Sequence, residues 1–197
     1  MEFPGGGVWV PRAFWHNLVP DEYFQSIYDV DLDALRQRGI SGLILDLDNT
    51  LAAWRFGEPE PKLAQWMVGV KARGFRPYIV SNDLGPRVDL FRRFLDIPGV
   101  ARAGKPRRGA FRDAVRRLAC SPAEVAVIGD QVFTDVFGAK PVGCYTILVV
   151  PVSRREFVGT RLVRVVERTF LKFLIARGRI GHPVRRTEPP GGQPPGD

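Results

Sequence analysis

Cysteine is scarce in this chain. Cys120 and Cys144 are its only two, with no metal-ligand spacing between them, too few to staple a fold of 197 residues. They read as reduced packing residues beside strand-like runs. Long apolar runs are also missing: none approaches the ~20 residues needed to span a bilayer. The first 14 residues carry an acid, prolines and three glycines where a secretory signal would carry an apolar block, so the expectation is a protein made and kept in the cytosol. There is no internal repeat. Acidic residues are outnumbered, 21 against 29 Lys and Arg, for a net charge of +8 and a pI of about 10.1. That balance favours anionic partners, whether phosphate esters, nucleic acid or acidic lipid, without choosing among them.

With 45% hydrophobic residues the chain can build one substantial core and little more. Between residues 42 and 150, short apolar runs (43–47, 77–81, 125–129, 145–150) alternate with amphipathic ones (61–73, 86–95, 109–118). Prolines stand at plausible first helical turns, and Gly74 lies just past one helix end. This alternation predicts βαβ units around a mostly parallel sheet. The expected organisation is an N-terminal helical extension (1–40), an α/β catalytic core (41–152), a basic amphipathic C-terminal helix within 153–186, and a disordered Pro/Gly tail (187–197). Within the extension, 20–38 reads as two short helices, with Asp31 capping the second and Gly39 ending it. The C-terminal helix is expected over 156–177.

Chemistry concentrates where predicted strands end. Leu43-Ile44-Leu45-Asp46-Leu47-Asp48-Asn49-Thr50-Leu51 places two carboxylates at i and i+2 as an apolar run breaks. One Asx residue would suffice for a turn, and carboxylates held this close repel unless a cation or a shared proton relieves them. A second run, Val127-Ile128-Gly129-Asp130, is followed by another acid at Asp135. In a doubly wound sheet the carboxyl ends of strands face one crevice. The two clusters should therefore meet and offer the hard oxygen ligands that Mg²⁺ prefers. Alone, Ser81 after a strand reads as a cap and Lys105 as a solvated side chain; their context raises both.

That context resembles the haloacid dehalogenase (HAD) superfamily. Asp46 to Leu51 is similar to its first motif, Ser81-Asn82 to its second, Lys105-Pro106 to its third, and Gly129-Asp130 through Asp135 to its fourth, all in order. The resemblance implies a Rossmann-like parallel sheet with helices on both faces. It also implies a phosphatase in which Asp46 is the nucleophile, Asp48 the general acid and base, and Ser81, Asn82 and Lys105 bind phosphate. Mg²⁺ would be held by Asp46, Asp130 and the Asp48 carbonyl, with Thr50 and Asp135 in support.

The intervals from Asp48 to Ser81 and from Asn82 to Lys105 leave no room for a cap domain. This resembles the capless subclass IIIA, whose open sites suit macromolecular or surface-bound phosphate monoesters. Ser26 to Leu32, Gly129 to Asp135 and Tyr145 to Pro151 resemble the YqeG-type phosphatases, which are similar to mitochondrial phosphatidylglycerophosphate phosphatases. That resemblance implies a phospholipid substrate; a phosphoprotein or nucleotide is the alternative. From 151 to 186 there are ten basic residues against Glu156 and Glu167. On a helical wheel Arg161, Arg164, Arg168 and Lys172 share one face, and Leu162, Val163, Val166, Phe170, Phe173 and Leu174 another. Such a helix suits an anionic membrane surface on the cytoplasmic side. It equally suits packing on the sheet with its basic face solvated. Trp9, Phe14, Trp15, Tyr23 and Phe24 are candidates for membrane insertion or for core. A HAD scaffold that binds RNA or a ribosomal particle is a second reading of the basicity. It is disfavoured because a binder of polyanions gains nothing from four acids in its cleft.

Overall fold

The computed structural model describes residues 15–53, 59–153 and 161–186, with side chains from 164 onward in the last segment. The strands are β1 (Glu22–Phe24), β2 (Gly42–Leu45), β3 (Arg76–Val80), β4 (Gly99–Val100), β5 (Val125–Gly129) and β6 (Tyr145–Val149). They form one sheet in the order β1-β6-β5-β2-β3-β4, with every pairing parallel. The helices are α1 (Leu32–Gln37), α2 (Pro61–Ala72), α3 (Pro86–Leu95), α4 (Arg108–Arg117), the single turn α5 (Phe137–Ala139) and the C-terminal α6 (Arg161–Ala176).

Both faces of the sheet are covered, which is why its strands are apolar throughout rather than alternating. Leu43 and Leu45 join the larger core with Leu63, Met67 and Val70 of α2 and Val88, Phe91 and Leu95 of α3. Ile44, between them, points the other way into a core with Phe111, Ala114 and Val115 of α4. The period of two along β2 therefore feeds two layers, and the helices answer at i, i+3/i+4 and i+7. A third cluster, Leu18, Val132, Val136 and Leu148, is closed by Phe170 and Leu171 of α6.

The strand order reverses between β2 and β5, neighbours in register from Gly42↔Val125 to Leu45↔Ile128. This topological switch point is where α/β sheets open a crevice beyond the carboxyl ends of their strands. Asp46 and Asp130 follow the two strands directly.

The N-terminal segment differs from its expectation. Residues 20–38 hold a strand, a 3₁₀ turn (Ile27–Asp29) and one α-helix rather than two helices. Asp21 decides the outcome: its carboxylate accepts from the Thr146 amide and hydroxyl, each at 2.8 Å, and its own amide bonds Thr146 O at 2.9 Å. Those bonds dock β1 along β6. The second helix is as read, with Asp31 accepting from the Ala34 amide at 2.9 Å and Gly39 at φ +83° past its end. The two-residue β4 was not anticipated. A Cβ on Gly99 would sit 2.7 Å from that of Ile79, so only glycine lets this edge strand close on β3. The expectations for 187–197 and for the start of the C-terminal helix before 161 lie outside the described residues.

Candidate active site

The Asp46 amide donates to Ile128 O at 2.9 Å, so the sheet holds the chain one residue past β2 and fixes where this carboxylate emerges. The chain then reverses. Asn49 adopts the left-handed region, φ +62°, which Asn tolerates better than most residues, and its amide reaches Ala52 O at 2.7 Å. The tight loop buries Thr50, whose hydroxyl approaches Asp130 Oδ1 at 3.5 Å, and leaves Asp48 at the rim.

After β5, a π-helical turn (Val132–Val136) folds Asp135 back over the strand end. A Cβ on Gly129 would lie 2.3 Å from the Asp135 carboxyl carbon, so the glycine of this motif makes room for the second acid. One carboxylate oxygen from each of Asp46, Asp130 and Asp135 lies within 4.8 Å of the others. Lys105 Nζ bonds Asp46 Oδ1 at 2.5 Å and Asp135 Oδ1 at 2.6 Å. Asp135, read from sequence as peripheral support, thus sits in the central cluster.

Ser81 is buried, and its hydroxyl accepts from the Asp83 amide at 3.1 Å. Asn82 was expected among the phosphate contacts; its side chain bonds the Lys105 backbone. Its oxygen accepts from the Lys105 amide at 2.8 Å and its NH₂ donates to Lys105 O at 3.1 Å. This two-point clamp ties the loop after β3 to the lysine and fixes where the ammonium points.

Electrostatics favour a cation here. Burial, with Asp135 and Asp48 adding repulsion, pushes the Asp46 carboxyl up to about 6 despite Lys105. Burial likewise holds Asp130 well above the usual carboxylate range, against the pull of Arg164. For Lys105, burial acts downward, but Asp135 and Asp46 outweigh it and the ammonium is held above its ordinary value. Among the described residues, the connected buried charges are four carboxylates (Asp46, Asp130, Asp135, Glu167) against two cations (Lys105, Arg164), a formal excess of two negative charges. A divalent cation with hard oxygen ligands fits that deficit in both charge and ligand type.

Asp48 faces a different neighbour. Its Oδ1 is 3.2 Å from Arg87 Nε in α3, yet accepts no hydrogen bond among the described residues. Burial raises its pKa, with Arg87 opposing. Arg87 also donates to Ala53 O at 2.7 Å, so α3 anchors the far side of the first loop. Sequence reading passed over Arg87 because a lone arginine in a helix N-terminal turn carries no motif.

The C-terminal helix departs furthest from its wheel. Arg164, assigned to the solvated basic face, is 5% exposed and Glu167 2%, while Val165 and Val166 are 56% and 50% exposed. The Arg164 guanidinium pairs with the Asp130 carboxylate and donates to Asp130 O at 2.9 Å. The basic face therefore splits: Arg164 turns inward, whereas Arg168 and Lys172 are exposed. Of the expected apolar face, Leu174 is buried and Phe170 partly so, but Val166 and Phe173 are exposed. The side chains of Arg161, Leu162 and Val163 lie outside the described residues. An Arg-x-x-Glu pair on a helix was the available signal. Such pairs are far more common at solvated positions. Among the aromatic candidates, Phe24 is core, Tyr23 packs on the third cluster and Trp15 stacks on Phe170 at 6.0 Å; Trp9 and Phe14 are outside the described residues. No helix among the described residues is long and apolar enough to cross a membrane.

A family model described as HAD-hydrolase-like matches residues 102–151. The chain is 41% identical over 162 residues to the probable phosphatase YqeG of Bacillus subtilis, covering 82% of this chain and 94% of that protein. It is 29% identical over 175 residues to the chloroplastic phosphatidylglycerophosphate phosphatase 1 of Chlamydomonas reinhardtii, covering 84% of this chain but 62% of the relative. Among solved structures, the cobalt-bound deoxy-D-mannose-octulosonate 8-phosphate phosphatase of Haemophilus influenzae is 17% identical, with a TM-score of 0.46 over 56% of this chain and 68% of that one.

Proposed function

Since the chain belongs to the HAD-type phosphatases, in the YqeG family, we propose that it hydrolyses a phosphate monoester through an aspartyl-phosphate on Asp46 with Mg²⁺ as cofactor. The observation that carries this reading is the buried cluster of Asp46, Asp130, Asp135 and Lys105 at the switch point, short of positive charge by two.

Asp46 Oδ attacks phosphorus as the bond to the leaving oxygen breaks, splitting one hard displacement into two easier ones. Asp48 supplies the proton that the leaving oxygen needs. Burial raises its pKa, which eases its protonation, and Arg87 Nε at 3.2 Å from Oδ1 holds the carboxyl in place. In the second half-reaction the same carboxylate takes a proton from the water that hydrolyses the acyl-phosphate. Lys105, locked by Asn82, offsets charge between nucleophile and phosphoryl oxygens, and Ser81 with the amides after it lines their place. Asp46, Asp130 and the Asp48 carbonyl would hold Mg²⁺, which supplies charge neutralisation for the phosphoryl group when bound.

For substrate, the reading is phosphatidylglycerophosphate, on the strength of the chloroplastic relative and a site without a cap. The outward face of α6 would meet an anionic bilayer. Val165, Val166 and Phe173 stand exposed there, with Arg168 and Lys172 on the same helix. The test is a phosphate-release screen with Mg²⁺ across phospholipid, nucleotide, sugar-phosphate and phosphopeptide. Asp46→Asn should abolish release with the fold intact, and comparable turnover by that variant would rule out the covalent route. Co-sedimentation with phosphatidylglycerol vesicles should weaken with salt and with Arg168→Gln/Lys172→Gln. No binding at low salt, with turnover of a soluble ester, would move the substrate away from lipid.

A further inference from the structure

We infer that Arg164, braced by Glu167, is a positioning residue for the cation site, so that the C-terminal helix is a working part of the centre rather than an appendage. The inference rests on the proposed reading of Asp130 as a cation ligand, and three observations on this chain lead to it.

One planar guanidinium holds the same residue twice. Arg164 Nη1 donates to Asp130 O at 2.9 Å and Nη2 to Asp130 Oδ2. Gripping the main-chain carbonyl and one carboxylate oxygen together fixes the side-chain torsions of Asp130, a geometry that arginine's rigid fork permits and lysine's point charge does not. Asp130 Oδ1, outside this grip, lies 3.5 Å from the hydroxyl of Thr50 in the loop that follows Asp46.

The brace is itself braced. Glu167 Oε2 lies 3.5 Å from Arg164 Nη1, and its Oε1 accepts from the Phe133 amide at 2.9 Å. Phe133 is in the π-helical turn that returns Asp135 to the site, so one Arg–Glu pair three residues apart pins both acids of the fourth motif. The aromatic contacts of Phe170 with Trp15 at 6.0 Å and Phe133 at 6.1 Å seat the helix behind the pair.

Packing alone does not call for this arrangement. Burying an ion pair costs desolvation that well-packed apolar side chains of similar volume would avoid. Here Val165 and Val166 face outward while the charged pair faces in. Partners that hold metal-ligating carboxylates from behind typically account for about 10–100-fold in metal affinity.

The experiment is calorimetric titration of MgCl₂ into full-length protein stripped with EDTA, alongside metal-free circular dichroism and Tm. Arg164→Met should weaken Mg²⁺ binding at least tenfold, Arg164→Lys should fall between it and wild type, and Arg112→Gln, on the solvated face of α4, should match wild type. Activity of Arg164→Met should recover toward the wild-type kcat at saturating Mg²⁺. Because Arg164→Met removes the cation beside the Glu167 carboxylate, Arg164→Met/Glu167→Gln is included; it should fold like wild type yet bind Mg²⁺ as weakly as the single variant. A folded Arg164 variant that binds Mg²⁺ within twofold of wild type, or more tightly, overturns the inference. Wild-type protein that takes up no Mg²⁺ would instead overturn the cation reading beneath it, a result told apart by the wild-type titration itself.

Discussion

Two basic amphipathic helices in this chain differ in what they bury. In α4, Phe111, Ala114 and Val115 are buried and Arg108, Arg112, Arg116 and Arg117 face solvent, as the sequence pattern predicts. In α6, Arg164 and Glu167 are buried while Val165 and Val166 are exposed. The difference lies in what each helix meets. Helix α4 lies on the apolar lower face of the sheet, where only hydrocarbon is complementary. Helix α6 crosses the strand-end region, where the buried Asp130 and the half-buried Phe133 amide need partners. An unpaired buried charge or amide is costlier than an exposed valine, so the polar demand of the site sets the rotation of α6.

The largest way to break this contrast is in the core that α4 serves. Phe111→Ala should cost about 3–5 kcal/mol in chemical denaturation, since the ring is fully buried between the sheet and Gly138, where even a Cβ would come within 2.4 Å of it. Mg²⁺ affinity of the folded fraction should be unchanged, whereas Arg164 variants should show the converse. A Phe111→Ala protein with wild-type stability would mean that α4 does not carry the second core.

Cation binding sharpens the comparison without mutation. Mg²⁺ at a hundred times its Kd should stabilise the fold by about 2.7 kcal/mol, and EDTA should reverse the gain in Tm. Amide exchange should slow in 130–136 and in α6 but not in α4; uniform protection would deny the special link to α6. Ca²⁺ should substitute poorly in turnover because its larger, looser shell misplaces nucleophile and phosphate.

The pH dependence has a definite sign. The Asp46 carboxyl, about 6 in the fold against an unfolded value near 3.8, binds more protons when folded. Metal-free stability should therefore fall as pH rises from about 4 to about 6. The stabilisation by Mg²⁺ should grow over the same window, because the cation favours the ionised form, and turnover at sub-saturating Mg²⁺ should fall as pH drops through about 6. An acid limb that stays near 4 at every Mg²⁺ concentration would remove the burial argument for Asp46. The smallest effects belong to the solvated face of α4. Arg112→Gln and Arg116→Gln should leave stability within about 0.5 kcal/mol and turnover unaltered, and a clear loss of either would show that this face too has a partner.

Local chemistry was readable from near neighbours in the chain. Apolar runs of strand length, prolines at helix starts and acids where strands break are consequences of near neighbours in the chain, and they placed β2, β3, β5, β6, α2, α3 and α4 as well as the four motifs. Asp46, Asp48 and Asp130 stood out for the same reason, each lying just past a readable strand, whereas Lys105 was marked only by the likeness of Lys105-Pro106 to the third motif. Tertiary structure decided whatever depended on a distant partner. Asp21 turns residues 22–24 into a strand only because Thr146 lies alongside. The Asn82 side chain bonds the Lys105 backbone, 23 residues away. Arg164 and Glu167 look like a solvated i,i+3 pair until Asp130 and the Phe133 amide, more than thirty residues earlier, are set against them. A helical wheel records which residues share a face, and not whether the surface opposite is hydrocarbon or buried carboxylate. That surface exists only once the sheet has brought its strand ends together.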